Sequence, residues 1–174
     1  MSTAGNWNRP DGFTLIEIVV VLFLLALFSA LTLPMLTGVG QDGLSSSARR
    51  LAGTVKYLYN ESALNQQEYR LIFDLDQGSY EARVLKPDGE WTEVKGIGAD
   101  RRLNGETRFT DVDIAGKGKF TTGEVTAEIH PQGWLPPTVV HLDNGKGGKM
   151  TLRIMPFTGA TEVYEGYREF ETQH

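Results

Sequence analysis

The chain has 174 residues, with 17 Lys and Arg against 22 Asp and Glu, a formal net charge of −5. That size fits one domain, or one domain with an appendage, and the acidic balance argues against a general nucleic-acid binder, which carries a basic face. There is no cysteine, which excludes disulfides, thiolate metal sites and a cysteine nucleophile.

The first element in chain order dominates the sequence. From Phe13 to Leu36 there are 24 residues, 19 of them Ala, Val, Ile, Leu, Met or Phe, and Ile18–Phe28 is an unbroken apolar run of 11. At about 1.5 Å per residue, a helix from Phe13 to Leu33 would be roughly 31 Å long, close to one hydrocarbon core. A core helix of a domain this size would show a polar face, and this segment has none. A cleaved secretory signal fits poorly: the run is long, no A-x-A pattern follows it, and Arg9 is the only basic residue before it. The only charge in the window is Glu17. A carboxylate in an apolar helix is costly, which makes it a candidate functional residue whose partner must be named.

Gly12-Phe13-Thr14-Leu15-Ile16-Glu17-Ile18-Val19-Val20-Val21-Leu22 resembles the N-terminal motif of type IV pilins and type II secretion pseudopilins. Pro34 also matches a proline common in that superfamily. The resemblance implies a leader at 1–12, cut by a prepilin peptidase between Gly12 and Phe13. It implies N-methylation of the new Phe13 amine, and a helix at 13–36 that anchors the chain in the inner membrane before filament assembly. Glu17 would then pair with the Phe13 amine of a neighbouring subunit. That pairing would offset part of the carboxylate's desolvation cost and fix axial register. The orientation, N-terminus inside and C-terminal domain in the periplasm of a Gram-negative bacterium, also follows from the resemblance.

After Pro34, three glycines within Gly38–Gly43 disfavour a rigid helix and predict a bend. Leu44, Ala48, Leu51, Val55 and Leu58 then form one apolar stripe, which predicts an amphipathic helix over 44–66 packed on a following sheet. The bend and this helix make up a segment at 37–66, followed by a globular antiparallel β domain at 67–174. Its expected strands are 69–75, 79–85, 107–114, 124–130, 138–142, 149–155 and 161–167, with turns at Asp76-Gln77-Gly78 and Pro87-Asp88-Gly89. Short connections favour antiparallel pairing. The predicted fold class is α+β, pilin-like, with a long N-terminal helix on an antiparallel β domain. The helix with Ala and Arg, Tyr80, His130-Pro131-Gln132-Gly133 and Thr158-Gly159 resemble the minor pseudopilin H group, GspH/FimT-like.

No catalytic constellation is evident. His130, His141 and His174 form no H-x-x-x-H or H-E-x-x-H pattern. Ser45, Ser46 and Ser47 read as an N-cap cluster. Asp74-Leu75-Asp76-Gln77-Gly78 reads as a turn and not a calcium loop. The glycine-rich run Gly145–Gly148 lacks phosphate-loop context. The chain is therefore expected to be no enzyme and to need no metal or cofactor. The resemblance implies a minor pseudopilin of type II secretion, a structural subunit of the pseudopilus that helps push folded proteins through the outer membrane. Its partners would be other major and minor pseudopilins, the processing peptidase, and the secretin or secreted substrate. The alternative is a FimT-like minor pilin of a type IV pilus, acting in filament priming or DNA uptake. DNA binding would need an exposed basic surface. Only Lys146, Lys149 and Arg153 offer a small patch, against an acidic tail of Glu162, Glu165, Glu169 and Glu171.

Overall fold

A computed structural model of the chain describes residues 14–36 and 39–170, with side chains at 14–28 and 43–170. The chain divides into two compact units, Met1–Gly38 and Val39–His174. The first contains helix α1, Leu15–Leu36. The second opens with helix α2, Val39–Asn65, and continues into ten strands among the described residues: β1 Tyr69–Asp74, β2 Ser79–Leu85, β3 Trp91–Glu93, β4 Arg101–Arg102, β5 Arg108–Ile114, β6 Gly118–Phe120, β7 Glu124–Ile129, β8 Thr138–Asp143, β9 Lys149–Ile154 and β10 Thr161–Glu165.

The strands make two five-stranded sheets. One runs β3-β2-β1-β7, with β4 also paired to β2; the other runs β10-β9-β8-β5-β6. Every pairing is antiparallel. The predicted stripe on α2 is buried throughout: Leu44, Ala48, Leu51, Val55 and Leu58 join one core with residues of both sheets. Phe73 of β1 and Phe109 of β5 meet edge to face at 5.8 Å, which ties the sheets together inside that core. The chain is α+β, as the sequence predicts.

Two local expectations are corrected. The helix begins at Val39, not at Leu44, so Val39, Gly40 and Gly43, inside the bend expected after Pro34, are helical; Thr37 and Gly38 lie outside the described residues. Gly43 is there because of packing: a Cβ on it would sit 3.3 Å from the Asn104 carbonyl oxygen. The serines do not cap the helix start. Ser47 Oγ accepts the Asn104 amide N–H at 2.8 Å, and the Asn104 side-chain amide donates to Ser46 Oγ at 2.8 Å. They fasten the loop before β5 to the first turns of α2.

At its other end α2 is held by side chains. Ser62 Oγ faces the carbonyls of Gln67 and Ile129 at 2.7 and 3.2 Å. The Tyr59 hydroxyl faces those of Gly133 and Phe157 at 2.8 and 2.5 Å. Lys56 Nζ donates to the Thr158 carbonyl at 2.7 Å. Tyr59 therefore touches both turns that the sequence singles out, His130–Gly133 and Thr158-Gly159.

Candidate functional site

The candidate assembly residues are Gly12, Phe13 and Glu17. Gly12 and Phe13 lie outside the described residues. Glu17 sits in the first turn of α1, in a reciprocal arrangement with Thr14. The Glu17 backbone N–H donates to Thr14 Oγ1 at 3.3 Å, and the Thr14 N–H donates to Glu17 Oε2 at 3.3 Å. This is a capping box, which satisfies two amide donors that a helix start leaves without partners. The sequence carries it as Thr-x-x-Glu before an apolar run, a signal that the reading of Glu17 as a buried charge passed over. A carboxylate has about four acceptor sites, so the capping contact leaves room for an ammonium partner.

Among the described side chains of α1, the large apolar residues on either side of Glu17 are exposed. Leu15 is 85% exposed and Phe28 66%, with the large residues between them exposed as well. Apolar side chains exposed to this extent call for lipid or partner helices around them. Among the described residues, no helix is long and apolar enough to cross a membrane. The side chains described on α1 end at Phe28, and those fourteen residues from Leu15 would reach about 21 Å, short of the roughly 30 Å core.

The two described histidines, His130 and His141, make structural contacts. His130 stacks on Trp134 at 5.2 Å and its amide donates to the Trp134 carbonyl at 2.8 Å, closing the turn. His141 of β8 is 2% exposed and Asp111 of β5 3%. The two are directly opposite each other in register, with His141 Nδ1 2.6 Å from Asp111 Oδ1. His141 Nε2 donates to the Arg168 carbonyl at 2.9 Å, and the Tyr167 hydroxyl donates to Asp111 Oδ2 at 3.0 Å. Tyr167 stacks on the imidazole at 3.8 Å. The Arg168 amide donates to Thr151 Oγ1, and that hydroxyl donates to the Gly166 carbonyl. These contacts strap residues 166–168 across the outer face of the second sheet. Both ring nitrogens are occupied and the ring is covered, so the pair has no room for a substrate.

Lys119 adds an outer clamp, donating to Tyr167 Oη at 3.2 Å and to Glu169 Oε1 at 3.0 Å. Hydrogen bonding to Glu169, then to Tyr167, holds the Lys119 ammonium above its ordinary range. The hydrogen bond from Lys119, with its charge, holds the Glu169 carboxyl below the usual carboxylate range.

The other sequence candidates resolve simply. Asp74 Oδ1 accepts the Gln77 amide, and Asp76 Oδ2 that of Gly123, so this segment is a turn. Among the described residues no group of three His, Asp or Glu side chains could hold a metal. The expected basic patch is neutralised in part: Lys146 pairs with Glu106 at 3.0 Å and Arg153 with Glu162 at 3.6 Å. Glu171 and His174 lie outside the described residues.

Comparison with known proteins bears on both units. Residues 7–33 match the family described as "Prokaryotic N-terminal methylation motif". No curated protein matches the chain in sequence. Two solved structures of the minor pseudopilin EpsH from the type 2 secretion system of Vibrio cholerae match its fold, each with a TM-score of 0.57. This chain shares the fold of those two structures. The match covers 70% and 74% of this chain and 95% and 98% of those chains, at 13% and 15% identity. The chain thus joins that motif to that fold. The motif read at Gly12–Leu22 is matched by that family model, and the predicted α+β fold by the two solved structures.

Proposed function

We propose that the chain is a minor pseudopilin of a type II secretion system, a non-catalytic structural subunit of the periplasmic pseudopilus. One observation carries the reading: the N-terminal methylation motif and the minor pseudopilin fold occur in a single chain. In this reading the leader is 1–12, the peptidase cuts between Gly12 and Phe13, and the Phe13 amine is methylated. Helix 13–36 holds the chain in the inner membrane as a single pass, with the domain that follows in the periplasm. On assembly Glu17 turns its remaining acceptor capacity to the Phe13 amine of a neighbouring subunit. The outward apolar side chains of α1 support this, because they need lipid before assembly and partner helices after it. The partial neutralisation of Lys146 and Arg153 by carboxylates supports protein partners over nucleic acid, so the FimT-like alternative is not favoured.

The test is to tag the C-terminus, crosslink native membranes of the natural host, purify the protein and identify co-purifying peptides by mass spectrometry. A methylated Phe13 N-terminal peptide recovered with other pseudopilins is the expected result. Recovery with type IV pilus subunits would move the chain to the alternative. An uncut leader without filament partners would overturn the reading.

A further inference from the structure

Two arginines converge on an open groove of about 370 Å³ between α2 and the segment before β4, lined by Arg50, Gly53, Thr54, Ile97 and Arg101. Gly53 leaves the groove open on the helix side: a Cβ there would meet nothing within 4 Å. Arg101 is held in place, its Nε and Nη2 donating to the carbonyls of Ile97 and Gly96 at 3.3 and 2.8 Å. Arg50 Nη1 donates to Asn104 Oδ1 at 3.2 Å. Both guanidiniums lie close enough to act on the buried Tyr80 hydroxyl. Burial raises that hydroxyl above the ordinary phenol range, while hydrogen bonding with Thr54 and then the charges of Arg101 and Arg50 pull it part of the way back.

Among the described residues neither arginine forms an ion pair with a carboxylate, and what sets the two apart is that they line one groove. In a chain with five more acidic than basic groups, two adjacent guanidiniums left to backbone and amide acceptors are an unmet demand for an anion. Several guanidinium N–H donors remain available, in the fork geometry that grips a carboxylate through two parallel hydrogen bonds. Ile97, 49% exposed, adds an apolar rim. Arginines beside exposed apolar surface are the composition of a protein-binding hot spot. No aromatic ring lines the groove, so it lacks the stacking platform of a single-strand binder.

We infer that this groove docks an acidic side chain, Asp or Glu, of another pilin-like subunit, with the Arg50 and Arg101 guanidiniums clamping the carboxylate and Ile97 packing beside it. The inference rests on the filament-subunit reading and adds a specific contact surface to it.

The test uses the full chain in native membranes with its neighbouring subunits present. Benzoylphenylalanine replaces Ile97 in one strain and Ile18 in another, and crosslinked peptides are mapped after irradiation. The Ile97 position is expected to crosslink to a pilin-like subunit within a few residues of an Asp or Glu. Arg50→Glu should lower that yield by about tenfold, because like charges would then face each other. Reversing the partner's acidic residue to Arg should restore it. Arg50 is preferred for the reversal because Arg101 also braces the backbone at Gly96 and Ile97.

If Ile18 crosslinks pilin-like subunits but Ile97 does not, the groove inference fails and the filament reading stands. If neither does, both fail. Crosslinks from Ile97 to nucleic acid, or to a segment without an acidic residue, or a yield that Arg50→Glu leaves unchanged, would also overturn the inference.

Discussion

Gly159→Ala tests how tightly the domain is closed around Tyr59. Gly159 has φ +60, and a Cβ there would lie 2.5 Å from both Cβ and Cγ of Tyr59 and 3.0 Å from its Cδ2. Two costs combine. Placing an L-residue in the left-handed region costs about 1–2 kcal/mol. Forcing a methyl into a filled site costs about 1–3 kcal/mol more. The expected loss is therefore about 2–5 kcal/mol, a large share of the 5–15 kcal/mol typical of a domain. Gly116→Ala is the control: its φ is +79, but a Cβ there would meet nothing within 4 Å, so only the dihedral cost of about 1–2 kcal/mol applies. Urea unfolding of the detergent-solubilised full chain, followed by tryptophan fluorescence, gives both values. In a Tyr59→Gly background, which removes the Cβ as well as the ring, the contact part of the Gly159→Ala penalty should vanish, leaving a coupling energy of about 1–3 kcal/mol. Equal losses for Gly159→Ala and Gly116→Ala, or no coupling with Tyr59, would refute the steric reasoning.

Other outcomes follow from the same geometry. Glu17→Gln keeps the capping box, since Gln serves at that position, but removes the charge. It should leave helix content by circular dichroism unchanged while sharply lowering incorporation into filaments, and wild-type incorporation would sink the charge-pairing account. Thr14→Ala should instead cost about 0.5–2 kcal/mol at the helix start, seen as faster amide exchange of the first turn. His141→Ala removes both ring contacts to the strap and should speed tryptic cleavage after Arg168 several-fold, with a stability loss of about 2–4 kcal/mol by urea unfolding; unchanged cleavage would show that Thr151 and Tyr167 hold the strap alone. The Lys119–Glu169 clamp is pH-dependent at both ends. Glu169's carboxyl is lowered, so its contribution is present above the ordinary carboxylate range and is lost as pH falls through its folded value. Lys119 is raised, so its contribution is full below the ordinary lysine range and is lost at still higher pH. Amide protection at 167–169, taken relative to the intrinsic exchange rate at each pH, should therefore be greatest between those limits, and a flat protection profile would rule the clamp out.

Much of this was legible in residue patterns. The α2 stripe from Leu44 to Leu58 is wholly buried because a 3.6-residue period leaves one face to pack. β1 and β7 show two-residue alternation of burial, whereas β8 is buried at five successive positions. What was not legible has local causes. β4 and β6 span only two and three residues, too few to establish a period. In β5 the register shifts between Phe109 and Asp111. That bulge lets Phe109, Val112 and Ile114 all reach the core while Asp111 meets His141, a phase change that strict alternation does not encode. The start of α2 was misplaced because helix propensity penalises Gly40 and Gly43, while the close approach of Asn104 favours a missing side chain at Gly43. The candidate site was legible in part. Glu17 stood out as the one charge in its window, whereas the Arg50–Arg101 groove joins residues 51 positions apart in sequence, and only the fold brings them together.

The fastening of α2 has a mechanical consequence. Its stripe is seated against both sheets. Near its start it is bonded to Asn104, and near its end to the carbonyls of Gly133, Phe157, Thr158 and Ile129. A load applied along the helix axis would be shared by all of these contacts at once, so they would resist in shear and would have to fail together. β10, at the free edge of the second sheet, can instead be peeled from β9 one hydrogen bond at a time. The domain is thus strong in the direction in which a thrust through its helix would arrive, and weak sideways at one edge.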